Sequence, residues 1–214
     1  MNETGKPILY GAEYSVYVKI VQLVLAEKHI DYELVSVDVF SDSDIPDSYL
    51  KRSPFGKIPS FSHADVEIFE TSAIVRYVDE TFPNPPLMPE LPNDRARVNQ
   101  IVSIIDNYAY PSMVWGVYVP LEDGKPLDNE TGEFGEAITL AETTLDALAR
   151  LCGSNSPFAV DDRITLADFY MLPTFFYFSK TDVGRSLING NSRICNWFNA
   201  LSEHPGYRDI LEAE

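Results

Sequence analysis

Between Phe82 and Asn93 the chain places five prolines in twelve residues, Phe-Pro-Asn-Pro-Pro-Leu-Met-Pro-Glu-Leu-Pro-Asn. Each proline removes a backbone donor and fixes φ, so neither a helix nor a central strand runs through such a stretch. It reads as a stiff linker over residues 83–93, dividing residues 1–82 from residues 94–214. Leu87 and Met88, apolar within it, are expected to dock on a folded surface. Each flanking piece is long enough to bury a core of its own.

The first piece changes its hydrophobic period as it goes. Pro7-Ile8-Leu9-Tyr10 reads as a short strand ended by Gly11. From Ser15 onward, Tyr17, Ile20, Val21, Val24 and Leu25 fall on one helix face that runs to about His29. Tyr32 to Val39 alternates and is rich in valine, a second strand. So short a strand–helix–strand crossover implies parallel neighbours. Asp42 to Leu50 is acidic and polar, an irregular or short helical segment. Ile58-Pro59 then opens a strand where proline is tolerated. Ser60-Phe61, the turn residues His63-Ala64-Asp65 and the run Val66 to Phe69 form a hairpin. Behind Glu70-Thr71-Ser72, the residues Ala73, Ile74, Tyr77 and Val78 are helix-spaced up to about Thr81. The order βαβ then ββα describes an α/β domain resembling thioredoxin.

The second piece reads as all-helical. Val98, Ile101, Val102 and Ile105 open a long helix continuing through Tyr108, Met113 and Trp115, with a kink expected at Pro111. Pro120 to Gly132 carries turn residues and charge and reads as a loop. Ile138, Ala141, Leu145 and Leu148 mark a second amphipathic helix. Ile164-Thr165-Leu166-Ala167-Asp168 is a capping box with an apolar staple, starting an apolar helix, Phe169 to Phe178, that Pro173 interrupts. Ile194, Trp197, Phe198 and Leu201 give a last helix, stopped at His204-Pro205-Gly206.

The formal charge is −17, from 33 acidic against 16 basic residues, which argues against general binding to nucleic acid or anionic membranes. An anionic ligand therefore needs a local exception to the global field. No apolar run suits a membrane helix, and Met1-Asn2-Glu3-Thr4 has no signal-peptide character. Cys152 and Cys195 form neither a CxxC nor a disulfide framework, which fits a reducing cytoplasm. His29, His63 and His204 have no partners at metal spacing and read as structural or solvated, so no metal is expected.

A thioredoxin-like domain, a proline-rich linker and an all-α domain, in this order, resemble a soluble glutathione S-transferase of the bacterial serine type. The resemblance covers nearly the whole chain. It is carried by Ile58-Pro59 before a strand, Glu70-Thr71 before Ala73-Ile74, the linker followed by Arg95-Ala96, and the Ile164-to-Asp168 cap. It implies that glutathione is the co-substrate. Pro59 would be cis, with the Ile58 backbone pairing with the cysteinyl part of glutathione. Glu70 and Thr71 would bind the γ-glutamyl end, an anion for its ammonium and donors for its carboxylate. Lys57 is a candidate partner for the other carboxylate, or else a solvated turn lysine.

The chemistry such a protein must perform is to hold a thiol as its anion, because an unperturbed thiol titrates at about 8.5 and only the thiolate attacks. The family places the responsible residue at the start of the first helix. Tyr14-Ser15-Val16-Tyr17 matches with Ser15 in the active position and Val16 replacing a proline. No cysteine occurs in the first 150 residues, which speaks against thiol-transfer chemistry. Tyr10, at the strand end, and Tyr14 are competing hydroxyls, and Ser15 can also be read simply as a helix cap. Tyr14, Tyr108, Met113, Trp115 and Phe176 are candidates for the electrophile pocket, with core packing the competing explanation for each. The implied reaction is attack on a small apolar electrophile by conjugation, dehalogenation or ether cleavage. Cis–trans isomerisation is a rival, as is a non-catalytic protein-binding role like that of stringent starvation proteins. The family is usually a homodimer, in which Asp106 could face the partner's site.

Overall fold

The change of period at Ser15 is realised as a strand and a helix folded back on it. The computed structural model describes residues 5–40, 45–124, 132–153, 156–160 and 162–213. Strand β1 (Ile8–Gly11) pairs in parallel with β2 (Glu33–Ser36) through the crossover helix α1 (Val16–Glu27). After the single turn α2 (Asp47–Leu50), β3 (Ser60–His63) pairs antiparallel with β1 and with β4 (Val66–Phe69). The sheet order is β2-β1-β3-β4, followed by α3 (Thr71–Thr81). This is the thioredoxin-like βαβ-ββα arrangement that the periodicity implies.

Leu9 and Phe61 have next to no exposed surface on the helix-facing side of the sheet, and the Phe61 ring meets Tyr77 of α3 at 6.2 Å between centroids. Gly11 shares the parity of Leu9, and a Cβ there would lie 2.4 Å from Val18 Cγ2. Glycine is what lets α1 approach the strand end so closely. The sequence pattern implies one apolar face on α1. The structure buries nine of its twelve residues, because α3 and the last helix, α10 (Pro205–Glu212), both pack against it.

Lys19 explains that packing. It lies within α1 with no exposed surface, and its Nζ donates to the carbonyls of Ile210 and Ala213, each at 2.7 Å. These are the orphan carbonyls and the negative dipole end of α10, so a buried cation finds compensation there. Tyr207 adds a hydrogen bond to Glu27. The sequence reading assigns all of residues 94–214 to the helical domain. In the structure one compact unit combines Met1–Pro86 with Pro205–Glu214, and the other is Leu87–His204. His204-Pro205-Gly206 does stop one helix, but it also starts the next.

A second buried cation holds the exit from α3. Lys28 Nζ donates to the carbonyls of Phe82 and Pro85 at 2.6 and 2.7 Å and pairs with Asp79 at 2.8 Å. The Asn84–Pro85 peptide is cis. Leu87 docks with no exposed surface, its carbonyl accepting from the Leu166 amide at 3.0 Å, while Met88 is half-buried. Helix α4 (Pro92–Ile104) begins inside the expected linker, since proline at a first helical position forfeits only an orphan donor.

In the second unit α4 runs into a π-helical stretch, Ile105–Tyr118, and then α5 (Val119–Glu122). Where a kink is expected, the winding is wider. The Val119 amide bonds five residues back to Val114, and the Ser112 hydroxyl donates to the Tyr108 carbonyl at 2.6 Å beside Pro111. A Cβ on Gly116 would come within 2.5 Å of Ala137 Cβ, so this glycine admits α6 (Glu133–Leu151). Helix α7 (Leu166–Ser179) is buried at nearly every position and continues through Pro173. Two capped helices follow, α8 (Asp182–Gly190), which the sequence reading passes over, and α9 (Ser192–Ser202). Of the expected loop, residues 125–131 lie outside the described residues.

Asp168, at the start of α7, is fully buried and collects four donors. Oδ1 accepts from the Ala159 amide at 2.7 Å and Trp197 Nε1 at 2.9 Å. Oδ2 accepts from the Thr165 amide at 2.8 Å and its hydroxyl at 2.9 Å. Burial pushes this carboxyl above the ordinary carboxylate range, against the opposite pull of those donors.

Cys152 is buried, and desolvation pushes its thiol from 9.0 up to about 11, while Cys195 is half-exposed. At pH 8 the folded protein is expected to give one thiol equivalent with an aromatic disulfide reagent and the second only on denaturation. Two fast equivalents would contradict that burial. A thiol raised in the folded state contributes stability that is complete below pH 9.0 and lost as pH climbs through about 11. Cys152→Ala should therefore show a shallower loss of stability over that alkaline window.

Candidate functional site

Ligands in open α/β sheets lie beyond the carboxyl ends of the parallel strands, and here β1 ends in the loop that carries Ser15. Ser15 caps α1 with extended backbone (φ −78, ψ 124), and its Oγ accepts from the Val18 amide at 3.4 Å. Its own amide donates to the Ala12 carbonyl at 3.0 Å, which fixes the turn. A hydroxyl that accepts as a cap keeps its hydrogen for donation, and this one sits half-buried at the positive end of a helix. Val16, in the place of the family's proline, is buried, and Tyr17 is half-buried.

The hairpin delivers the other residues to the same end of the sheet. The register Ser60↔Phe69 and Tyr10↔Ser60, continued by one residue, sets Pro59 between Gly11 and Glu70. A Cβ on Gly11 would lie 3.5 Å from Ile58 Cβ, so Ile58 meets the end of β1 and the first turn of α1. The Ile58–Pro59 peptide is cis. The Lys57 carbonyl is held by the Tyr49 and Ser53 hydroxyls at 2.8 and 2.7 Å, leaving the lysine side chain exposed. Glu70 is exposed with φ 73 and ψ 115, a left-handed backbone that costs a side-chain-bearing residue roughly 1–3 kcal/mol. Its carbonyl accepts from Ala73 and Ile74, both at 3.0 Å, so Thr71 and Ser72 carry the leading amides of α3. Thr71 is buried. Ser15, Ile58, Pro59, Glu70 and Thr71 thus share one edge of the first unit.

The two tyrosines are differently placed. Tyr10 lies on the sheet face away from α1, with the Arg52 guanidinium 4.6 Å from its ring centroid and Arg52 paired to Glu67. Tyr14 donates its phenol proton to Asp38 Oδ1 at 2.7 Å. Burial, then the bond to Asp38 and its charge, push that phenol up to about 12. In the helical unit Tyr108 and Trp115 are about half exposed on the π-helical stretch, and Phe176 is half-buried with Lys180 Nζ 5.2 Å from its ring centroid. Met113 has no exposed surface. His63, read as structural or solvated, bonds to the Tyr77 hydroxyl at 2.9 Å. A groove of about 310 Å³ lined by Glu142, Leu145, Asp146 and Ser186 contains none of these site candidates.

The sequence reading passes over Asp38 and Phe40. Asp38 lies between Val37 and Val39 just beyond β2, in a run whose alternation reads only as strand, and only the fold shows Tyr14 reaching it across 24 residues. The backbone of Glu70 is equally silent in sequence, since no residue type other than glycine, asparagine or aspartate hints at positive φ.

Residues 9–86 match the family model of the glutathione S-transferase N-terminal domain, and residues 130–213 that of its C-terminal domain. Glutathione S-transferase Z1 of Arabidopsis thaliana is 31% identical over 165 residues, covering 77% of this chain and 74% of the relative. A stringent starvation protein A homolog of Coxiella burnetii is 32% identical over 165 residues, covering 77% and 72%. The crystal structure of glutathione transferase F7 from Populus trichocarpa superposes with a TM-score of 0.82 at 26% identity, over 96% of this chain and 98% of the other. Two family domains spanning most of the chain, on the sheet order and helical unit described above, leave one assignment: the chain belongs to the glutathione S-transferase family.

Proposed function

We propose that the protein is a glutathione transferase in which Ser15 holds the glutathione sulfur as its thiolate. The observation that carries this reading is a helix-capping hydroxyl whose acceptor lone pair is used and whose hydrogen is not, at the strand end that Ile58 and Glu70 share. The Ile58 backbone beside Pro59 pairs with the cysteinyl part, Glu70 meets the ammonium, Thr71 and the leading amides of α3 meet the γ-glutamyl carboxylate, and Lys57 meets the other. The thiol loses its proton to solvent, sulfur attacks the carbon of a small apolar electrophile, and halide or alkoxide leaves with the electron pair. Tyr14, one residue from Ser15, contacts that electrophile. Detoxification by a cytoplasmic homodimer is the setting this chemistry fits.

The likeness to a stringent starvation protein homolog supports a second reading, a regulator that binds a protein partner without catalysis. Retention on immobilised glutathione, together with a rise in melting temperature on adding it, separates the two. If neither is seen, the transferase reading falls. Glu70→Gly sharpens the test. It removes the carboxylate, so glutathione affinity should drop about 10–100-fold, as for a charge-assisted bond. It also relieves the left-handed strain, so the unliganded protein should gain about 1 kcal/mol of stability. Unchanged affinity would show that Glu70 is no part of the glutathione site.

A further inference from the structure

Helix α1 is held at two points along its length by one short helix. Near its start, Lys19 has no exposed surface, and its Nζ donates to the Ile210 and Ala213 carbonyls at 2.7 Å each. At its last residue, Glu27 accepts a hydrogen bond from the hydroxyl of the buried Tyr207. The contacts run in reverse order along the two helices, so α10 lies antiparallel to α1. The span from Lys19 to Glu27 is about 12 Å of helix, and the eight residues of α10 cover the same length. A single contact would let α1 pivot. Two, a helix length apart, fix its rotation and its axial position. Lys19 also lies one turn from Ser15 on the same helix stripe, and its amide donates to the Ser15 carbonyl at 3.0 Å. The neighbouring Val18 gives its amide to Ser15 Oγ at 3.4 Å and its side chain to the close approach at Gly11.

We propose that Lys19 is a positioning residue for Ser15, and that α10 is the fixed point against which it acts. The chemistry of the side chain explains why a lysine suits this place. A buried ammonium is stable only while it faces its acceptors, because a cation stripped of water and of compensation is costly. An apolar side chain would keep α1 packed yet let it slide by fractions of an ångström. Lys19 resists that slide, and the main chain it shares with Ser15 carries the constraint one turn further. The serine hydroxyl must stay within hydrogen-bond reach of the sulfur, where the rate falls steeply with misplacement. Lys19 does not touch glutathione in this scheme. It acts through Ser15.

The proposal rests on the Ser15 reading, and a double-mutant cycle keeps the two apart. Turnover of 1-chloro-2,4-dinitrobenzene with glutathione is compared for the wild type, Lys19→Met, Ser15→Ala and the pair. Lys19→Met is similar in volume and uncharged. It should lower kcat by about 10-fold, short of the roughly 100-fold that a misplacement of 1 Å can cost, while KM for glutathione changes by less than about twofold. Lys19→Arg keeps the charge and the donors and should restore most of the rate. In the Ser15→Ala background Lys19→Met should have no further effect, since residues that act as a unit are not additive. Tyr207→Phe loosens the far end of the clamp alone and should lower kcat in the same direction by less. No turnover in the wild type, or a wild-type rate in Ser15→Ala, would sink the Ser15 reading and this one with it. With Ser15→Ala impaired, an unchanged kcat in folded Lys19→Met, or losses that multiply in the pair, would overturn the positioning role alone. Should Lys19→Met fail to fold, a wild-type kcat in Tyr207→Phe would overturn it.

Discussion

Asp168→Ala should lower the stability of the helical unit by about 4 kcal/mol, the scale seen when one member of a buried charged network is deleted. The carboxylate is fully buried and accepts from the Ala159 amide, the Thr165 amide and hydroxyl, and Trp197 Nε1. Alanine leaves all four donors buried without an acceptor, each at a cost of about 1–3 kcal/mol before relaxation, and it removes the cap of α7. For a chain of this length the melting temperature should fall by roughly 10 °C. Asp168→Asn keeps the shape and one acceptor oxygen, but its NH2 faces two donors, so its loss should be intermediate. A change below about 1 kcal/mol in the alanine variant would mean that the donors find other partners. Glutathione affinity of the folded fraction should be unaffected, because all four of the Asp168 donors belong to the helical unit itself.

Ser15→Ala is expected to reduce turnover with an aryl halide by about 100-fold, comparable to losing one donor to a developing anion, with a much smaller effect on glutathione affinity. The same change deletes a helix cap worth about 1 kcal/mol, so stability must be measured alongside. Ser15→Thr keeps both the cap and the donor and should restore most of the rate. Ser15→Asp keeps the cap but sets a carboxylate where the thiolate must form, and should be inactive at unchanged stability. A wild-type rate in Ser15→Ala would transfer the role to another group. Tyr14 is poorly suited to take it, since its proton is committed to Asp38 and its phenol is pushed up to about 12.

The elements that carry a strong period were legible from residues alone. Alternation marked β1 and the hairpin, and helix spacing marked α1, α3 and α6. The proline run marked the division, and Thr165-to-Asp168 marked the start of α7. What failed were inferences from single residues. Pro173 was expected to interrupt a helix that in fact continues, because burial on nearly all sides outweighs one missing donor. Pro111 suggested a kink, and the chain widened into π winding instead. For the candidate site the sequence supplied residue types at spacings, and the register of β3 brought Ile58, Pro59, Glu70 and Thr71 to one edge. The Asp38 bond and the destination of Lys19 depend on tertiary partners far along the chain, which no local pattern encodes, and a positive φ at a glutamate carries no residue-type signal.

Lys19 also sets an order of events. Its two carbonyl acceptors lie 191 and 194 residues downstream, so during synthesis the helix that begins at Ser15 waits about 10–40 s, at ordinary ribosomal speed, for the segment that neutralises its buried ammonium. The half of the molecule made first is thus finished last. Residues 1–86 expressed alone should lack the native packing of α1, whereas a circular permutant that brings α10 next to β1 should fold faster, having replaced the longest loop closure in this unit by a short one.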